Sequence, residues 1–374
     1  MAPNLTNPPE RETDVLREVL AILRDRLPGS WQATVEEGVA VDGGLKADAV
    51  VRLRGPDGAH TALVVEAKRL VEARDIPRIL EQLSRLVGKM GGDARPVSDT
   101  VQPVLPMLVA RYLAPRTRER LDELGISYAD ATGNLRVAVD RPALFVRDAG
   151  AQRDPWRGPG RPRNSFRGAP AARVVRALAD YAPPMTVPDL VERSGASTGA
   201  TYRVVELLTR EAYLEREPRG PITSVEWRRM LERWSEDYQF GASNPTASLL
   251  EPRGIDALTD SLRRLPEVRY AVTGSLAAQQ YAPYAPARLA MVYVDGIERV
   301  AGELGLRPVD GGANVLLAAP KDDFVYERAK VVGGLTLAAP SQVAVDLLTS
   351  PGRGPSEATA LLDWMEEDER AWRE

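Results

Sequence analysis

Glu66-Ala67-Lys68 sets an acid and a base two residues apart at the end of an apolar run. In a strand, side chains two apart share a face, so both project the same way. Asp48 stands near the start of the preceding strand pattern, so three charges can converge on one spot. Cleavage of a phosphodiester with Mg²⁺ needs carboxylates to hold the metal and a cation to position water and stabilise charge. An Asp on one strand and Glu-x-Lys on the next supply that set. The same residues could also form a salt-bridged sheet edge, which would contribute little energy.

The rest of the composition narrows the chemistry. The chain has 374 residues, no cysteine and one histidine, His60. That excludes a disulfide framework, Cys-based zinc and His-rich metal sites, and Ser-His-Asp catalysis away from residue 60. A bound metal must use oxygen ligands, which points to Mg²⁺, Mn²⁺ or Ca²⁺. His60 reads as a surface residue in the turn before the Glu66 strand. Glu18, on the first helix, is either a further metal ligand or a solvated helix acid. Net charge is -4 with a pI near 5.5, which argues only weakly against nucleic acid, because distribution matters more than the sum. No apolar stretch is long enough to span a membrane. The N-terminus lacks a charged-then-apolar signal pattern, so a cytoplasmic protein is expected.

The elements that must position these residues are legible. Apolar spacing predicts a helix over 13–27, strands over 31–39, 47–54 and 61–67, and a helix over 75–88. A buried strand at 104–110, a short helix at 115–124 and strands at 127–130, 135–139 and 144–146 complete an α/β domain over 13–150 with a mixed sheet.

Here the residues resemble the PD-(D/E)XK nuclease superfamily: Asp48, then Glu66-Ala67-Lys68, in strand–turn–strand–helix order. The following helix carries Gln82 in "RILEQLSRL", where many members keep a Gln. The resemblance implies a restriction-endonuclease-like mixed sheet and a Mg²⁺ site made by Asp48, Glu66 and the Ala67 carbonyl. Ala47, rather than Pro, precedes the Asp. Farther on, "YADATGN" at 128–134 reads as a turn between strands, with phosphate binding as its alternative.

Residues 151–169 are rich in Pro, Gly and Arg and lose apolar periodicity, which marks a linker. Arg157 and Arg163 flank a Gly-Arg-Pro core, centred on Arg161, that resembles an AT-hook. A narrow extended segment with Arg suits a narrow minor groove. The alternative is a flexible linker touching phosphates without specificity.

Residues 170–230 predict helices at 171–181, 187–194 and 198–211, then two short strands in "YLERE" and "PITSVEW". Three helices and a hairpin are the winged-helix order, and the stretch resembles bacterial winged helix-turn-helix regulators. The exposed start of the third helix offers Thr198, Thr201, Tyr202 and Arg203, and the wing offers Arg216 and Arg219, for base edges or phosphates of duplex DNA. The alternative is a spacer or dimerisation module.

Residues 249–374 alternate helix and strand. Gly274-Ser275 in "YAVTGSLAAQQYAP" resembles the phosphate-cradling turn of nucleotidyltransferases. Those enzymes hold two Mg²⁺ ions with an Asp-x-Asp strand, whereas "ARLAMVYVD" carries only Asp295. A degenerate, inactive nucleotidyltransferase-like domain is therefore expected, without two-metal chemistry. The stretches "LLEPRGIDALTDSL", "TGSLAAQQYAPYAP" and "APSQVAVDLLTSPGRGPSEATALLDWM" resemble the AbiEi-type antitoxin and regulator family of type IV toxin–antitoxin systems. That family pairs a winged helix with such a domain and implies autoregulation through DNA binding.

The expectation is a multidomain α/β protein that binds double-stranded DNA as a transcriptional regulator, with a homodimer as its working form. The alternatives are a Mg²⁺-dependent endonuclease in phage defence or repair, and an antitoxin acting through protein contacts.

Overall fold

The computed structural model describes residues 7–41, 44–91, 104–156, 165–265 and 268–374. The expected AT-hook residues Arg157, Arg161 and Arg163 lie outside the described residues. The chain divides into two compact units, one N-terminal and one C-terminal, with the division in the Arg/Pro/Gly-rich stretch.

The first unit is a mixed seven-stranded sheet in sequential order. Helix α1 (Glu12–Arg26) is followed by β1 (Gln32–Val41), β2 (Leu45–Arg54) and β3 (His60–Lys68), which form an antiparallel meander. Helix α2 (Ile76–Gly91) leads to β4 (Val104–Ala110) and α3 (Pro115–Glu123) to β5 (Ser127–Asp130). The strands β3, β4 and β5 are parallel neighbours. The hairpin partners β6 (Leu135–Val139) and β7 (Leu144–Asp148) close the sheet antiparallel.

The parallel stretch requires both faces to be covered, which is why β3 reads as a continuous apolar run. On one face α1 buries Val15, Leu16, Val19 and Leu23 against Val51, Leu63, Val65 and Val109. On the other, Ile76, Ile79, Leu83 and Leu86 of α2 pack on Val50, Ala62, Val64 and Leu108. His60 is exposed but opens β3, paired with Arg54, instead of ending the turn.

The second unit begins with three helices: α4 (Ala169–Asp180), α5 (Val187–Ser194) and α6 (Thr198–Arg210). Thr186 and Asp189 form a reciprocal capping box at the start of α5, which satisfies otherwise orphaned N–H groups. Gly195 takes a left-handed conformation, φ 62°, to end α5 and turn the chain into α6, a geometry that favours glycine. The strands β8 (Leu214–Arg216) and β9 (Ile222–Val225) form the hairpin.

"PITSVEW" was expected to be strand throughout, but Trp227 opens a helix, α7 (Trp227–Ser235), followed by the short α8 (Phe240–Ser243). Trp227, Met230, Leu231 and Trp234 are buried along one stripe, the i, i+3, i+4, i+7 pattern of a helix facing a core.

A second mixed sheet follows. It comprises β10 (Thr246–Leu250), β11 (Tyr270–Thr273), β12 (Ala290–Val294), β13 (Arg307–Pro308), β14 (Val315–Ala318), β15 (Lys330–Val332) and β16 (Leu335–Leu337). Their order is β13-β10-β14-β12-β11-β16-β15. Around it lie α9 (Ile255–Arg263), α10 (Gly274–Ala278), α11 (Ile297–Glu303), α12 (Pro340–Leu348), α13 (Gly354–Glu367) and α14 (Glu369–Trp372). One continuous hydrophobic core runs from Phe166 through the helix-turn-helix and the sheet to Trp372.

Candidate phosphodiester site and nucleic-acid interface

Antiparallel pairing of β2 and β3 reaches Ala49 opposite Val65. One step farther brings Asp48 beside the end of β3. Its carboxylate accepts from the Ala67 backbone N–H at 2.8 Å. Glu66 is 2% exposed, and its Oε1 accepts from the Lys68 ammonium and from Gln82 Nε2 of α2, the latter at 2.8 Å. Asp48, Glu66, Lys68 and Gln82 are thus brought together, at the carboxyl end of a parallel strand, where α/β sheets commonly bind ligands.

Glu66 Oε2 is buried and has no hydrogen-bond partner. Burial pushes the Glu66 carboxyl above its ordinary range, opposed by the Lys68 hydrogen bond and charge, while Asp48 repels the second negative charge. A divalent cation would relieve that repulsion and give Oε2 a partner. Among the described residues no three or more acidic or His side chains cluster as metal ligands. Mg²⁺ commonly uses one or two carboxylates and keeps waters or takes phosphate oxygens for the rest. The donor set of Asp48 and Glu66 therefore fits a hard divalent ion.

Glu18 is not drawn into this group. It is half-buried on α1; desolvation and then the neighbouring Asp14 charge raise its pKa. The Asp130 turn is also accounted for within the first unit. Asp130 is buried and accepts from Thr132 N, Thr132 Oγ1, Asn134 N, Asn134 Nδ2 and Leu113 N. Its oxygens are spent on holding the turn, as the default reading of "YADATGN" expected.

The helix-turn-helix exposes Thr198, Tyr202 and Arg203 at the start of α6. Thr201 corrects an expectation: it is fully buried, and its hydroxyl donates to the Ser197 carbonyl at 3.1 Å. It sits one helical turn from Val205, on the stripe that faces the core, so it cannot meet a ligand. On the hairpin, Arg216 is half-buried and Arg219 is exposed at the tip with φ 60°. Among the described residues the side chains of Tyr202, Arg203 and Arg219 make no ion pair or hydrogen bond.

Gly274 has a local packing reason. A Cβ there would meet Met291 Sδ at 2.7 Å, and its φ is 64°. Asp295 accepts from the Tyr326 hydroxyl at 3.1 Å.

The sequence reading missed a buried polar chain nearby. Asp346 of α12 is fully buried and accepts from Thr273 Oγ1 at 2.6 Å, from Tyr293 at 2.8 Å and from Gln342 Nε2 at 3.0 Å. Burial raises its pKa to about 7, with those three hydrogen bonds and the Arg176 charge opposing. The signal was present: a lone acid inside the apolar "PSQVAVDLL".

No helix in the described residues is long and apolar enough to cross a membrane. Residues 171–218 match the IclR helix-turn-helix domain. Residues 224–366 match a family described as transcriptional regulator, AbiEi antitoxin, type IV TA system. No curated protein matches the chain. A solved structure entitled "Structure of EndoMS in apo form" is similar at 16% identity and a TM-score of 0.21, over 32% of this chain and 45% of that one. The chain thus spans less than half the length of that protein. It carries a helix-turn-helix domain followed by a region similar to AbiEi-type transcriptional regulators, within a multidomain α/β protein.

Proposed function

We propose that this chain is a transcriptional regulator that binds duplex DNA through its winged helix, as a homodimer in the cytoplasm. The observation that carries the reading is the start of α6, where Thr198, Tyr202 and Arg203 stand exposed inside the stretch matching a helix-turn-helix model. Hydroxyls and a guanidinium there can reach base edges and phosphates. Arg216 and Arg219 extend the contact along the hairpin, and Arg157, Arg161 and Arg163 supply minor-groove or phosphate contacts. The AbiEi-type match over 224–366 supports the regulatory role. In this reading that region is a degenerate nucleotidyltransferase-like domain and the first unit a restriction-endonuclease-like one. Binding of labelled duplex DNA, measured across a salt series, tests it. A chain that binds no duplex at low salt sinks it.

A second reading is favoured by Glu66 Oε2, buried without a partner. Here the first unit cleaves phosphodiesters. Asp48 and Glu66 would hold Mg²⁺, which supplies Lewis-acid stabilisation of the phosphate when bound. Lys68 sits beside Glu66, where it would face the developing negative charge, and Gln82 fixes the Glu66 carboxylate. Duplex DNA incubated with EDTA, Mg²⁺ or Mn²⁺ separates the readings. Intact bound DNA in all lanes leaves the regulator alone. Metal-dependent fragments that vanish in Asp48→Ala establish the nuclease.

A further inference from the structure

The seven-stranded sheet of the first unit has two edge strands, β1 and β7, and an unpaired edge invites another strand. The two edges are built differently. β1 carries exposed Glu36 and Glu37 beside Gly38, whose φ is 64°. Adjacent acids and a left-handed residue discourage pairing there. β7 pairs with β6 in unbroken register and holds no proline, glycine or lysine. Its Phe145 is 64% exposed. The residue opposite on β6 is Ala138, too small to cover the ring.

The free edge of β7 has a definite pattern of donors and acceptors. Ala138 turns its N–H toward Ser127 of β5, at 3.3 Å. By alternation Val137 and Val139 face β7, opposite Val146 and Leu144. Phe145 and Arg147 therefore aim their backbone N–H and C=O groups away from β6. Among the described residues nothing hydrogen-bonds to those groups. The side chains of Phe145 and Arg147 share one face, two residues apart. Arg147 meets Asp122 through Nη2 at 2.7 Å, and the same carboxylate holds Arg136 at 3.2 Å. Two guanidiniums on one carboxylate leave a positive surplus beside an uncovered ring.

We propose that β7 is the surface through which two copies of this chain join, antiparallel about Val146. A two-fold axis there sets Phe145 opposite Arg147 of the second copy, and Arg147 opposite its Phe145. Both members of each pair aim their backbone groups across the junction, so all four hydrogen bonds form. Each ring meets the other copy's guanidinium in a cation–π contact. In this register no like charges stand opposite each other. The strand is thus complementary to itself, ring to cation and donor to acceptor, as a two-fold interface requires. The inference rests on the homodimer proposed above and names its surface. Self-association is measured without DNA, so its failure leaves DNA binding standing.

The test is sedimentation equilibrium of the full chain. The parent should sediment at about twice the 40.8 kDa chain mass, with a dimer Kd below about 10 μM. Phe145→Lys sets like charges opposite each other and should weaken the dimer at least about tenfold. A second variant reads the register. The chain has no cysteine, so Val146→Cys places a single thiol of each copy at the two-fold axis. The Cα atoms of such a non-hydrogen-bonded pair stand about 4.5 Å apart, within disulfide reach. Mild oxidation should convert most of Val146→Cys to a covalent dimer, and adding Phe145→Lys should suppress it. Phe145 is exposed and Val146 half-buried, so both variants should fold. The proposal fails if the parent stays monomeric up to about 100 μM, if Phe145→Lys leaves the dimer unchanged, or if Val146→Cys does not cross-link. A dimer unchanged by Phe145→Lys joins through another surface, which overturns the inference and leaves the homodimer itself standing.

Discussion

Arg176 of α4 donates to the side-chain carbonyl of Gln342 on α12 at 2.9 Å, and both residues are buried. The other end of Gln342 donates to Asp346. The same guanidinium donates to Asp180 at 2.9 Å and to the carbonyls of Phe324 and Glu327. A buried cation thus ties the first helix of the helix-turn-helix to the sheet region through side chains whose polar atoms are nearly all matched.

Removing one partner of a buried ion pair leaves the other charge without compensation, at a cost of about 3–5 kcal/mol. Arg176→Met should therefore lower the stability of the second unit by about 3 kcal/mol or more, read as a fall in denaturant midpoint. A variant as stable as the parent would mean that Asp180 finds another partner.

Asp346 makes the second unit pH-sensitive. Its folded pKa, about 7, lies above its ordinary value of 3.8, so the folded state holds a proton that the unfolded state releases. Its contribution is fully present below about pH 4 and is lost as pH rises through about 7, with an upper bound on the order of 4 kcal/mol. Thr273, Tyr293, Gln342 and Arg176 face it and moderate the loss. Unfolding at pH 5 and pH 8 should show the parent weaker at pH 8. Asp346→Asn should flatten that difference.

On α6, burial separates exposed Arg203 from buried Thr201. Arg203→Ala should weaken duplex binding and reduce the salt slope by about one counterion. Thr201→Val should instead cost about 1 kcal/mol of stability through the lost hydroxyl bond to Ser197 and leave the salt slope intact. A loss of DNA affinity in folded Thr201→Val would contradict its assignment to the core.

The metal fit predicts a stability shift that needs no turnover. Mn²⁺ should raise the melting temperature of the first unit, and Asp48→Ala or Glu66→Gln should abolish the rise, since only the folded state assembles both carboxylates. An equal rise in parent and variants would place the ion elsewhere.

Much of the architecture was readable because it rests on local pattern. The apolar run at 61–67 and the helical spacing at 13–27 each carry their geometry in a few residues. The short elements escaped. The hairpin of β15 and β16 joins three-residue strands across Gly333-Gly334, too brief for a period to register. α7 was lost for another reason: "SVEW" is rich in strand formers, while its helical stripe emerges only when Met230, Leu231 and Trp234 are counted together. The Asp48–Glu66–Lys68 grouping was legible since β2 and β3 are adjacent in sequence. The Asp346 network was not, because Thr273, Tyr293 and Gln342 come from three separate elements and meet only on folding.

The continuous core from Phe166 to Trp372 constrains how this protein can change over generations. A reading head that owns its interior can be lifted out and joined to new partners. Here buried Trp227 and Trp234 lie just past the hairpin, and Glu374 donates its backbone N–H to the Asp180 carbonyl at the end of α4. Recombination between the hairpin and the sheet would expose those rings and orphan that carbonyl. Parting the helix-turn-helix from the sheet behind it would therefore open their shared core, whereas a junction in the Arg/Pro/Gly-rich stretch before Phe166 would leave that core whole.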